Sequence, residues 1–313
     1  NLAPDSAPKD PLKFVRLLEP ATEINRIDGG AYWVLFELDN QSQNSDWVID
    51  NKNAVIDTLK TFYYRKSGIE ENISGYLHPL KYYLHYGIDF VLEPQEKAHL
   101  LVYMESRYYS GAPSIQIAPL SKYRKSVAIE NAWIIGCMGA VLILALYNFF
   151  IASYIRDRSY FYYAAYLTTS IIAWAAAMNI LASLFQWQSY YLLIPPFFVV
   201  ITFNLLYIIH FLELNIAHKK LAKFTYGFAG LSLLMALLGT ELFSTGQLQQ
   251  VHAIMATVWI ALGLWCGVVR LREGYKPARY FVAAFVVLIL GVLLSVTTSI
   301  GMKPVMNNTF LAT

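Results

Sequence analysis

The chain has 313 residues, 57% of them hydrophobic and 14% charged, with a mean hydropathy of +0.41 and a formal net charge of +3. Soluble domains carry about a quarter charged residues, so this balance excludes a wholly water-soluble protein. Charge is also unevenly placed: residues 1–129 hold 14 Lys/Arg against 16 Asp/Glu, a net of −2, whereas 130–313 hold 10 against 5, a net of +5.

Residues 1–12 contain Pro, Asp and Lys without periodicity and read as a flexible lead-in. The first residue is Asn1, so a signal peptide removed upstream is expected for an exported front domain. From Ala31 to Asp39, Tyr32, Val34, Phe36 and Leu38 alternate on one face, which predicts a strand. Asn40 to Asp46 is a polar turn, and Ala54–Arg65 is strand-like with Phe62, Tyr63 and Tyr64. Alternation returns over Ile88–Leu92 and Ala98–Glu105, and Ile115 with Ile117 closes the set. Short strands with turns about every ten residues predict a β-sandwich, jelly-roll-like, over 13–121. Both cysteines, Cys137 and Cys266, lie in apolar segments, so this domain must rest on a packed core rather than on disulfides.

A linker follows at 122–131, and 132–313 reads as an all-α polytopic membrane bundle. Its apolar runs are 132–152, 160–184, 190–212, 224–242, 251–269 and 280–300. Most have the roughly 20 residues that a bilayer core of about 30 Å requires. Asn307–Leu311 reads as the opening of a seventh helix, cut off at Thr313 together with anything cytoplasmic beyond it. Nine positive residues share one set of loops: Arg156, Arg158, Lys219, Lys220, Lys223, Arg270, Arg272, Lys276 and Arg279. The opposite loops carry only Lys303. The positive-inside rule makes the nine-charge side cytoplasmic and the front domain periplasmic, in a bacterial inner membrane.

The helices are nearly empty of ionisable groups, which argues against pumping, ion transport or intramembrane catalysis. No metal, cofactor or nucleic-acid motif is present, and no enzymatic activity is expected of these residues. Gly263 and Gly267 form GxxxG in the fifth run, read either as a homodimer contact or as close packing inside one bundle. Pro195-Pro196 marks a kink or hinge in the third run.

The front domain offers two candidate sites. One is aromatic, with Trp47, Tyr63, Tyr64, Tyr82, Tyr83, Tyr108 and Tyr109, against the alternative that these rings only fill the core. From this set, with Arg107, the expected ligand-binding residues are Trp47, Tyr64, Tyr82 and Arg107. The other is oxygen-rich, Asp39, Asn40, Asn44, Asp46, Asp50 and Asn51, read as a polar turn with Ca²⁺ binding as the competing idea.

Residues 139–166, GAVLILALYNFFIASYIRDRSYFYYAAY, carry Leu146-Tyr147-Asn148, the Arg156-Asp157-Arg158 turn and the Tyr160-Phe161-Tyr162-Tyr163 helix start. With Phe211-Leu212-Glu213-Leu214 and Ala278-Arg279-Tyr280 as later boundaries, the chain resembles the bacterial seven-transmembrane receptors with diverse intracellular signalling modules. The front domain, Trp33 to Asn40 and Phe90 to Ser106, is similar to that family's extracellular sensor of jelly-roll type. The resemblance implies a receptor for a small-molecule or carbohydrate-like ligand. Its bundle would signal to a cytoplasmic kinase, cyclase or phosphatase module, or to a separate partner. The competing reading is a membrane carrier or channel with an accessory domain.

Overall fold

A computed structural model of the chain describes residues 7–18, 20, 24–51, 55–65, 68–109 and 114–299. The start of the expected lead-in, and the expected opening of a seventh helix, lie outside the described residues. Helix α1, Pro11–Arg16, begins inside the stretch read as lead-in. Pro11 occupies its first turn, and Asp10 caps it by accepting from Lys13 N at 3.0 Å.

Seven strands follow: β1 Gly30–Asp39, β2 Asp46–Asn51, β3 Thr58–Arg65, β4 Gly68–Ser74, β5 Ile88–Val91, β6 Lys97–Ser106 and β7 Ile115–Pro119. They form two antiparallel sheets, ordered β1-β6-β3-β4 and β5-β2-β7. Pairing puts Phe36, Leu100 and Tyr63 in one row across the four-stranded sheet. That row faces the second sheet, where Phe90 meets Tyr63 at a centroid distance of 5.5 Å. Ile49, Leu59, Leu100 and Val102 are fully buried with them, so the expected β-sandwich rests on an apolar core. The outer face of this sheet carries a cluster of Trp33, Tyr103 and Phe62, and Phe14 of α1 meets the Trp33 ring edge-on at 4.9 Å.

Two strands have no period-2 signal. In β2, DWVIDN, Val48 to Asn51 are all buried, because both faces of this central strand are covered. In β4, GIEENIS, the strand lies at the sheet edge and its first four residues are exposed. Alternation is erased by burial on both sides in one case and by exposure on both sides in the other.

The remaining elements are helices: α2 Leu120–Ile155, α3 Arg158–Ala177, α4 Ile180–Phe185, α5 Tyr190–Leu193, α6 Pro195–Phe211, α7 Leu214–Ala217, α8 Lys219–Leu242, α9 Thr245–Arg272 and α10 Ala278–Ser299. By length and composition, four stretches among the described residues can cross a membrane: Leu120–Ile155, Tyr190–Phe211, Lys219–Leu242 and Thr245–Arg272. The run expected at 160–184 is not continuous. Its helix ends at Ala177, Asn179 turns left-handed at φ 58, and α4 starts anew.

The chain divides into two compact units, one of Asn1–Trp133 with Met178–Gln188 and one of Ile134–Ala177 with Ser189–Thr313. In the second, α6 is the most buried helix and packs against α3, α8 and α9. Pro195 and Pro196 open α6, so the pair starts a helix after the short turn of α5. Polar atoms on α6 are satisfied inside the bundle. Asn204 Oδ1 accepts from Trp259 Nε1 at 2.9 Å, and Phe198 O accepts from Ser232 Oγ at 2.9 Å. A Cβ on Gly263 would lie 2.3 Å from Phe285, and one on Gly267 would lie 2.8 Å from Phe281. The GxxxG face is therefore occupied by α10 of the same bundle.

Candidate ligand site and the segments it holds

The first unit contains more than the sandwich. On the outer face of β5-β2-β7, Val48 and Asp50 of β2 meet Leu120, Tyr123 and Val127, one face of the first turns of α2. Tyr123 donates to Asp50 Oδ2 at 2.8 Å, and Asp50 is buried. Tyr82 stands edge-on to Tyr123 at 5.0 Å and donates to Asp89, which also pairs with Lys81 at 2.7 Å. A Cβ at Gly87 would lie 2.5 Å from the Tyr123 hydroxyl, so any larger residue there displaces Tyr123.

One connection, residues 76–87, grips two further segments. Asn131 of α2 donates to Tyr83 O at 3.2 Å and meets His85 Nε2 at 3.1 Å. On the Met178–Gln188 segment, Asn179 accepts from Tyr86 Oη at 3.1 Å and donates to Leu84 O at 3.3 Å. Leu84 N donates to Ser183 Oγ at 3.1 Å, and Gln188 Nε2 donates to His78 O at 3.4 Å. The segment between α3 and α5 is thus held by hydrogen bonds to the sandwich domain. In water such bonds are worth only about 0.5–1.5 kcal/mol each. The Tyr86–Asn179 pair is buried, so breaking it strands both groups and costs more.

The described residues of this unit line three grooves of note. The first, about 370 Å³, opens at the rim between the sheets. Leu38, Phe90, Ile117 and Trp47 line it with apolar surface, and Asp39 and Gln41 with exposed polar groups. The second, about 290 Å³, lies between Asp46 and Arg124. The third, about 370 Å³, has Lys81 and Tyr83 on one side and Ser183 and Gln188 on the other.

The four expected ligand residues are not brought together. Trp47 lines the first groove. Tyr82 lies on the opposite face of the same sheet, against Asp89 and Tyr123. Tyr64 is on the outer face of the other sheet, where its hydroxyl donates to Pro8 O at 2.7 Å and burial pushes it up to about 12. Arg107 is exposed at the end of β6, and its backbone N–H donates to Asp57 Oδ2 at 2.9 Å. Tyr63, Tyr108 and Tyr109 are core residues, while Tyr83 is exposed.

The oxygen-rich set is dispersed as well. Asp39 pairs with Lys97 at 3.0 Å and Asp50 faces Tyr123. Asn40 organises a turn, donating to Asn44 O at 2.6 Å and Leu92 O at 2.7 Å while accepting from Ser42 N at 3.0 Å. Among the described residues no three His, Cys, Asp or Glu side chains are placed to hold a metal ion. Sequence reasoning did not single out Tyr86, His85, Asn131, Asn179 or Ser183. The one available signal was Asn179, an amide inside an otherwise apolar run.

Residues 130–313 match the family model described as 7TM diverse intracellular signalling, and residues 4–117 match the one described as 7TMR-DISM extracellular 2. No protein of curated function matches the chain in sequence.

Proposed function

The chain belongs to the 7TM diverse intracellular signalling family, a multi-pass membrane receptor type with an extracellular N-terminal domain, and on that premise we propose how it senses and transmits. The sandwich binds a small, carbohydrate-like ligand in the periplasm of a bacterium, in the groove walled by Trp47. The indole face packs on an apolar ring face, while the exposed Asp39 carboxylate beside it accepts hydrogen bonds from hydroxyls. The residues described here bind and transmit, and the output is a cytoplasmic signalling module or partner.

The observation that carries transmission is the content of the first unit. The sandwich, the first turns of α2 and the segment after α3 form one compact body. A ligand that prefers one arrangement of that body biases two membrane-connected segments together. It does so only by its differential affinity for the two arrangements.

The test uses the full chain in lipid nanodiscs against a panel of saccharides. A saccharide at 100 times its Kd stabilises the native state by about 2.7 kcal/mol and raises Tm accordingly. Trp47→Ala should abolish that rise and Arg107→Ala should leave it. Amide exchange over 120–131 and 178–188 should change with the same saccharide. No rise with any saccharide rejects the ligand class, and a rise with unchanged exchange rejects the route.

A further inference from the structure

Met178–Gln188 has one face spoken for and one face bare. Asn179, Ala182 and Ser183, spaced i, i+3, i+4, face the sandwich domain, with Asn179 and Ala182 buried. The other side carries Leu184, Phe185 and Trp187 at 56%, 58% and 61% exposure, with the Phe185 and Trp187 rings 5.6 Å apart. Two more large apolar side chains of this unit are equally bare, Tyr83 beside the third groove and Trp133 two residues beyond Asn131. No charged residue occurs from Met178 to Gln188. An uncharged, aromatic, outward-facing surface of this kind is costly in water and marks an interaction site.

Chain connectivity says what covers it. The family match over 130–313 makes α3 part of the seven-helix membrane domain, so the segment joins two of its helices, leaving α3 at Ala177 and reaching the Tyr190–Phe211 span at Tyr190. At about 3.3–3.6 Å per residue, a loop of this length cannot rise more than about 20 Å above the membrane before returning. Tyr and Trp concentrate at the headgroup level, where an apolar ring body and a polar edge are both solvated. We propose that the Leu184–Trp187 edge is an interfacial anchor, seated among the phospholipid headgroups of the outer leaflet. Its opposite face is the sandwich-binding face, so the same short helix ties the extracellular domain to the lipid surface. Gln186, exposed between Phe185 and Trp187, adds a neutral hydrogen-bonding group, which suits a headgroup layer better than a hydrocarbon core.

The experiment places a nitroxide on the full chain in phosphatidylcholine liposomes, with Cys137 and Cys266 replaced by alanine. Labels go at Trp187→Cys, at Gln186→Cys, which keeps both rings, and at Gln43→Cys in the exposed β1–β2 turn. Collision with oxygen, which partitions into lipid, is compared with collision with a water-soluble nickel chelate. The ratio should favour oxygen at 186 and 187 and the chelate at 43. Equal, water-like ratios at all three positions would overturn the anchor. Exclusion of both reagents at 186 and 187 would also overturn it, pointing to a protein-covered face instead. Neither outcome depends on the ligand groove.

Discussion

Tyr64 and Tyr82 are phenols that fold into places where their ionised forms are disfavoured. Tyr64 is pushed up to about 12 by burial, with Asp10 adding to it. Tyr82 is pushed up to about 12 by burial and then by its hydrogen bond to Asp89. Both folded-state values lie above the ordinary 10, so the fold binds these protons more tightly than the unfolded chain does. The stability this contributes is fully present below pH 10 and is lost as pH rises from 10 towards 12. Tm of the detergent-solubilised chain should hold level between about pH 8 and 9.5 and then fall. The Tyr64→Phe and Tyr82→Phe double variant should fall less steeply, because phenyl rings do not ionise. An unchanged slope would show that these two phenols carry none of the alkaline loss.

At the scale of elements, what was legible followed the physics of exposure. β1, β5 and β6 are legible to within a residue or two because each is a run of aliphatic and aromatic residues closed off by turn residues, Gly29-Gly30 and Asn40 around β1 and Glu93-Pro94-Gln95-Glu96 between β5 and β6. β2 was missed because α2 covers its outer face and makes Val48 as buried as Ile49. That covering comes from 70 or more residues away, which no local pattern of β2 records. The break at Asn179 was hidden by apolar neighbours, and it exists because Tyr86 and Leu84 bond the amide from another element. Glycine spacing was legible but ambiguous, and the structure decides it in favour of helix packing within the bundle. Gly267→Leu should therefore destabilise the bundle itself. A Cβ already meets Phe281 at 2.8 Å and Val282 at 2.9 Å, and overpacking of this kind costs about 1–3 kcal/mol. Tm in detergent should drop at unchanged oligomeric size. A variant that keeps its Tm and changes from dimer to monomer would restore the homodimer reading.

For the whole molecule, charge rather than periodicity is the legible signal. Trp47 is a candidate in the sequence because Tyr and Trp are dense around the strand ends. The scatter of Tyr64, Tyr82 and Arg107 over other faces needed the sheet register to be seen. The loops that bear the nine positive residues are ordered at two points. Arg270 donates to Leu212 O at 2.8 Å and to Glu273 at 2.7 Å and lies over the Tyr275 ring at 4.5 Å, while His218 bonds Glu273. These contacts tie the stretch after α6 to the end of α9, so the basic residues belong to a built surface rather than to loose connections. The positive-inside rule predicts that surface on the cytoplasmic side, with the N-terminal domain outside. Cysteines at the exposed positions Gln43 and Gln250 should react with a membrane-impermeant maleimide in intact cells. Cysteines at the exposed positions Asp157 and Ala217 should react only after the membrane is opened. The native pair, Cys137 and Cys266, is first replaced. Labelling of 157 and 217 in intact cells, with 43 and 250 protected, would invert the receptor. It would also remove the periplasmic ligand from consideration, because the Trp47 groove would then face the cytoplasm.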